Sequence, residues 1–471
     1  MKKIVTFLLV LSIVTCLFAN GASDATSAPI QGKKQKTIEW WDQFLPLANL
    51  HRTLWDKAEA ETGVPVVYTQ YDAAKLKEAL MLAHRTGSCP DVFSQVFGNQ
   101  TKAMYDEGWF SPLTVDTSAL PPYIQDSLFE GYTMFDGKVY SFPTMSINHV
   151  APLWYLTNVV SPNQIPRTFK EAREIAQKIT KDSEGSVYGF VVPIGFTERM
   201  NATFEDMMMA SGSPGWIDWN TGAYQYDSQT AQDVFQFFVD LWDDGSILPA
   251  SVNLNMRSAR ERWAAGEAAF LIDGSWNVGV VKSSFPEVLN YVDVAEPIRK
   301  DASRPYWIYK TPPQASFFIS SNSDCVKEAT QTLLQFMGKD YYIGLAENMD
   351  QPPLDLSVVE EANVHPSYKK VCEMFAKTML YRPDPLLKNL DVAKVTTEMR
   401  DIHPNPAEIY QGYCSGAISD WKTELKKYNA AMTMERDRAI KKVKGEGYNV
   451  SLDDWIFPNF VYGRNFSSDM Y

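Results

Sequence analysis

The sequence predicts an α/β fold, and three observations carry that expectation. Residues 36–96 alternate strand, helix, strand, helix, strand with short connections. The same alternation resumes after residue 168, as though a second unit of similar construction followed the first. No internal repeat or low-complexity block appears once the N-terminal leader is past. Strands that alternate with helices at this pace pair in parallel, because each helix carries the chain back along the sheet.

Taken in order, "KTIEWWDQF" (residues 36–44) is a short β-like run ending in two tryptophans and an acid. In "LHRTLWDKAEAETG", Leu50, Leu54, Trp55 and Ala58 recur at helical spacing, and Gly63 stops the pattern. "VPVVYTQY" (64–71) is a second strand, "AAKLKEALMLAHRTG" (73–87) a second helix, and "CPDVFSQV" (89–96) a third strand. Residues 137–160, "GKVYSFPTMSINHVAPLWYLTNVV", are apolar and β-like without helical period, and they break the alternation. "TFKEAREIAQKIT" restarts it, with Thr168 as N-cap and Glu171 three residues on. "YGFVVPIG" (188–195), the helix around "AQDVFQFFVDLWDDG", and "AAGEAAFLIDGSWNVG" (264–279) continue this second unit. "FFISSNS" and "CVKEATQTLLQFMG" (317–338) add one more strand and helix, and the chain from about Pro352 reads as mostly helical.

A chain of 471 residues has room for two to four domains. Its formal charge of −13 repels nucleic acid and anionic lipid headgroups, so neither is expected as a partner. The start, "MKKIVTFLLVLSIVTCLFANGAS", has two lysines, an apolar run and then small residues, which is the layout of a secretory signal peptide over residues 1–22. Cleavage is expected near Ala19 or Ala22; the apolar run falls short of the roughly 20 residues a membrane span needs. "IVTC" loosely resembles a lipoprotein box, so a tether through Cys16 is the alternative. Residues 23–35 read as a flexible leader. The mature chain is therefore expected outside the cytoplasm, in the periplasm or at the outer face of the cytoplasmic membrane. Cys89, Cys325, Cys372 and Cys414 form no CxxC pair, and their spacing leaves bridging open. Metal-ligand spacing, HExxH, GxSxG, GxxxxGK[ST] and GxGxxG are all absent, so neither a metal nor a cofactor is expected.

"GEAAFLIDGSW" behind an amphipathic helix resembles the most diagnostic segment of the extracellular solute-binding proteins of ABC importers, in particular the carbohydrate-binding family that includes maltose-binding protein. "IEWW", "PDVF", "MYDEGWFSPL", "GKVYSFP", "LWYLTNVV" and "ISSNSDCVKEATQTLLQFM" resemble that family's other segments, in the family's order. The tail "MERDRAIKKVKGEGYNVSLDDWIFPNF" is similar to that of its longer members. "TPPQASFF" (311–318) departs from it, where many members carry paired glycines near the ligand. The resemblance implies two hinge-linked α/β lobes of the periplasmic-binding-protein type II fold, with a ligand cleft between them. The expected division is 36–145 plus 296–348 for the N-terminal lobe and 146–295 plus 349–471 for the C-terminal lobe. Crossings are expected near residues 142–148, 294–298 and 345–351.

A sugar ring offers a C–H face that an aromatic ring covers and hydroxyls that carboxylates and amides meet. Trp276, with Asp273 just before it, fits that need at a strand end, and the resemblance implies that this tryptophan stacks on a ligand ring. Trp40, Trp41 and Asp42 end the first strand; alternation sends one tryptophan into the core, and Asp42 serves either as a site acid or as a helix cap. Gln95 and Phe97 follow the third strand at the same rim. Asn148 and His149 lie past the first crossing, where the family places a polar contact; a lone histidine is also an ordinary core residue. Trp154 sits in the next strand, Trp216 and Trp219 in the turn-rich "SPGWIDWNTG", and Arg382 in "YRPDP", where it reaches the cleft or braces a helix end. The expected function is capture of a carbohydrate and delivery to ABC permease subunits by a monomer without enzymatic activity. The alternatives are a non-sugar solute such as a peptide or polyamine, or a secreted glycoside-processing enzyme.

Overall fold

The computed structural model describes residues 36–44, 47–97 and 100–471; the expected signal peptide, leader and Cys16 lie outside them. Two sheets organise these residues. The first runs in the order Val66–Gln70, Ile38–Asp42, Val92–Ser94, Phe317–Ser320, Phe110–Ser111. Its first three strands are parallel, and Phe317–Ser320 enters antiparallel between Val92–Ser94 and Phe110–Ser111. Period-2 alternation sends Ile38, Trp40 and Asp42 inward, while Glu39 is exposed and Trp41 half-buried. The helix Ala48–Thr62 lays His51, Leu54, Trp55 and Ala58 on the core and stops at Gly63, whose φ of 74° places it in the left-handed region that glycine enters without strain.

The second sheet runs Val292–Ala295, Leu153–Leu156, Ala268–Ile272, Tyr188–Val191. Ala268–Ile272 lies parallel to Tyr188–Val191 and antiparallel to Leu153–Leu156, and all five of its residues are buried, as a central strand requires. The helix Phe169–Asp182 opens on the capping box of Thr168 and Glu171. It packs so closely on Tyr188–Val191 that a Cβ on Gly189 would stand 2.3 Å from the Ala176 Cβ. The C-terminal third is helical, with Trp421–Gly445 its longest helix. No helix among the described residues is long and apolar enough to cross a membrane. Cys89, Cys325, Cys372 and Cys414 are all free thiols.

Between the sheets, residues 142–148 run beside residues 349–353: Met145 bridges to Pro353 and the Ser146 N–H donates to the Pro352 carbonyl at 2.9 Å. The second crossing lies later than expected. After Val292–Ala295 the chain stays with the second sheet, where Ile298, Tyr306, Ile308 and Tyr309 are buried among Phe190, Phe270 and Tyr410. The cause is a parallel pair between Ile308–Lys310 and Met379–Tyr381, and only then do residues 311–316 pass to the first sheet. The Ser316 N–H donates to the Phe142 carbonyl at 3.1 Å, so that passage lies against the first crossing.

Candidate functional site

The crossings line a cavity of about 360 Å³. Phe44 and Gln95 reach it from the first sheet, two residues past Ile38–Asp42 and one past Val92–Ser94. Lys310 ends the strand Ile308–Lys310 on the second-sheet side, and Asn148, Gln314 and Gln351 come from the crossings themselves. Strand ends from one sheet and linkers to the other thus converge on one space, which is where open α/β sheets hold ligands. The Asn148 amide donates to Gln351 Oε1, tying two crossings together across the cavity wall. Lys310 pairs with Asp206 of the helix Thr197–Ala210, and the Asp206 carboxylate, fully buried, also accepts from the Val150 N–H at 2.8 Å. Burial raises the Asp206 pKa, and the Lys310 ammonium opposes that rise.

A second cavity, of about 170 Å³, adjoins the first through Thr311. Trp219, Arg382, Asp384 and Trp455 line it, and the Arg382 guanidinium lies 5.2 Å from the centroid of the Trp219 ring. A third cavity, of about 460 Å³, sits where Trp276 and the helix Asn277–Ser284 meet Glu347, Asn348 and Asp350. Residues 350 and 351 face different cavities, Asp350 the third and Gln351 the first. Burial raises the Asp350 pKa. Gly279 lets the helix approach this crossing, since a Cβ there would stand 2.7 Å from the Asn348 and Met349 carbonyls.

The expected binding residues divide sharply. Gln95, Asn148, Trp219, Trp276 and Arg382 line cavities, although not the same one. Trp276 is half-buried: Arg199 covers its ring at 4.8 Å, and its indole N–H donates to Asp273 Oδ1 at 3.0 Å. Asp273 is fully buried and takes Arg199 and Arg260 as ion partners at 3.0 and 2.6 Å, so its role is to fix Trp276 rather than to meet a ligand. Trp219 is buried beneath Arg382 and serves as its platform. Trp216 stacks on Tyr226 and Trp41 leans on Tyr71, both half-buried and away from the three cavities.

Besides Asp273, five expectations are overturned by burial. Trp40 stacks on Phe336 in the core, and Phe97 packs edge-on against Trp109. Trp154 is buried and its indole N–H holds the Asp273 carbonyl at 2.9 Å. Asp42 is neither a site acid nor a helix cap. It is fully buried and accepts from the Trp40 indole, the Tyr68 hydroxyl and the Phe44 N–H at 3.1, 3.0 and 2.9 Å, with His51 Nδ1 at 3.3 Å. His149 is fully buried against Phe375, accepts from the Ala151 N–H, and is held neutral because burial and the nearby Lys310 push its pKa well down. Phe44, Lys310, Gln314 and Gln351 were not singled out in the sequence. A strand-end aromatic at Phe44 and the unusual "TPPQ" were their only visible signals.

The sequence pattern of the family "bacterial extracellular solute-binding protein" matches residues 46–340, more than half of the chain. The chain belongs to this family. No curated protein matches the sequence. Solved structures match this solute-binding protein over most of its length. The GacH receptor of Streptomyces glaucescens, solved unliganded and with acarbose, is 16% identical with a TM-score of 0.63, covering 86% of this chain and 99% of that one. An ABC transporter solute-binding protein of Thermotoga lettingae, bound with α-D-tagatose, is 18% identical with a TM-score of 0.62, covering 84% and 98%. Maltose-bound MalE3 of T. maritima is 18% identical with a TM-score of 0.60, covering 84% and 99%. The solute-binding protein described here therefore has their two-lobe fold, with one sheet per lobe.

Proposed function

We propose that this solute-binding protein is the exported receptor of an ABC importer, that it captures a sugar or oligosaccharide between its lobes, and that it hands the sugar on to membrane permease subunits. The observation that carries the reading is the first cavity, which Phe44 and Gln95 of one lobe line together with Lys310 of the other and Asn148 and Gln351 of the crossings. An aromatic face beside amides is what a pyranose ring calls for. Similar folds holding tagatose, maltose and acarbose support the same class of cargo. The lobes divide at 36–145 and 146–295, with the N-terminal lobe taking the chain back after Thr311 rather than at 296, and the C-terminal lobe resuming at 349.

A ligand that touches both lobes binds the closed form better and shifts the population toward it. Moving from mostly open to mostly closed takes about 5.5 kcal/mol of differential affinity. Thermal-shift screening of the mature protein across sugars, peptides and polyamines tests the class of cargo. A rise in melting temperature with a carbohydrate, and recovery of that carbohydrate chemically unchanged, is the expected result. A rise only with peptides or polyamines, or a cleaved sugar, counts against it.

A further inference from the structure

We infer that the sugar taken by this cleft carries a carboxylate and that Arg382 receives it in the smaller of the two adjoining cavities. The inference rests on the carbohydrate reading above and narrows it to uronic acids.

Arg382 follows the strand Met379–Tyr381, and its backbone N–H donates to the Lys310 carbonyl at 2.9 Å. The two cations therefore stand side by side at the carboxyl ends of two parallel strands, each lining a cavity. Their chemistry differs. Lys310 is neutralised by buried Asp206. The Arg382 guanidinium makes no hydrogen bond and no ion pair among the described residues; it is half-buried over Trp219, itself entirely enclosed. A guanidinium has five N–H donors and is always charged, so a half-buried one with no protein acceptor is an open demand for an anion or for water.

Apart from the Trp219 ring, the surroundings give the guanidinium no paired acid. Asp384 is the only acid among the described residues that line either cavity, and it makes no ion pair with Arg382: one oxygen accepts from the Leu386 N–H at 2.9 Å and the other from the Tyr132 hydroxyl. The larger cavity has amides, hydroxyls, Lys310 and no carboxylate. With Lys310 already paired to Asp206, Arg382 and Asp384 are the charges left among the described residues lining this space, so its walls are close to neutral in a chain of charge −13. The amides and hydroxyls of the larger cavity both donate and accept, and so can meet sugar hydroxyls, while Arg382 donates only. The forked guanidinium matches a planar carboxylate with two parallel hydrogen bonds.

Titration calorimetry on the mature protein tests this with pure trisaccharides of two kinds: neutral (malto-, cello-, xylo- and chito-) and uronic (galacturonate, glucuronate, mannuronate and guluronate), each uronide also as its methyl ester. The expected result is that at least one uronide binds, that Arg382→Gln weakens it about tenfold or more, and that esterification does the same to the wild type but adds little in the variant. Arg382→Lys keeps the charge without the fork and falls between, and affinity for the uronide drops as salt is raised. A purely structural Arg382 would weaken acid and ester alike. Tight binding of a neutral trisaccharide that Arg382→Gln leaves unchanged overturns the inference and spares the carbohydrate reading. So does uronide binding indifferent to esterification. Binding of no trisaccharide of either kind overturns both.

Discussion

Asp42 and His149 show how far chemistry at a single residue departs from its address in the chain. Both stand at strand ends or crossings, where ligand contacts are expected, and both are spent on the interior instead. Asp42 collects four polar partners beneath the first sheet, one of them the backbone of Phe44, which it holds at the cavity edge. Asp42→Ala leaves those buried donors unanswered, and chemical denaturation should show a loss of about 3–5 kcal/mol. His149 makes the stability depend on pH with a definite sign. Its folded pKa lies well below 6.5, so below that pH the unfolded chain binds a proton that the folded chain refuses. Stability is therefore whole above about pH 6.5 and lost as pH falls, by at most about 1.4 kcal/mol per unit. Lys310 faces His149 and Asp206 faces Lys310; the raised pKa of Asp206 acts in the opposite sense as acid is added. Urea denaturation near pH 7.5 and pH 5.5 should show the loss in the wild type and a smaller one in His149→Asn, whose amide oxygen can still accept from Ala151. Equal losses would remove His149 as the cause.

Elements were far more legible than residues. The stripe Leu54, Trp55, Ala58 and the stop at Gly63 define one helix, and Thr168 with Glu171 opens another, because period and capping are local properties written in adjacent letters. The second crossing was misplaced for the opposite reason. Pairing of Ile308–Lys310 with Met379–Tyr381 joins segments some seventy residues apart, and nothing near residue 296 announces it. The site suffered likewise: "RPDP" and "TPPQ" are visible as unusual stretches, but that they share one cavity follows only from that strand pair. Close packing between elements can also be read from a glycine once its neighbour is known. Gly189 has room for no side chain against the backbone of the helix Phe169–Asp182, with the Ala176 Cα 2.6 Å from an added Cβ. Gly189→Ala must push that helix off the second sheet, and the melting temperature should fall by the equivalent of about 1–3 kcal/mol. An unchanged melting temperature would mean the helix shifts freely.

At the scale of the whole molecule, the proposed lobes also touch away from the cavities. Phe129 and Tyr132, from the N-terminal lobe, are buried with Leu386 and Ala393 of the C-terminal lobe, and the Tyr132 hydroxyl donates to Asp384. Gly131 keeps the approach close: its φ of 91° suits glycine, and a Cβ there would lie 2.6 Å from Leu390. If opening parts these residues, the contact weights the closed form before any ligand arrives, and that is the prediction to test. That has a cost for capture and a benefit for affinity, since the fraction already closed multiplies the apparent binding constant. Tyr132→Phe removes the hydroxyl and leaves one buried oxygen of Asp384 unpaired, a penalty of about 1–3 kcal/mol that opening relieves by admitting water. Small-angle scattering should then give a larger radius of gyration for the ligand-free variant than for the ligand-free wild type, and the same radius for both at saturating ligand. Apparent affinity should fall in step with the closed fraction. Identical ligand-free radii would show that the crossings alone set the balance between open and closed, and that the Tyr132 contact follows closure without favouring it.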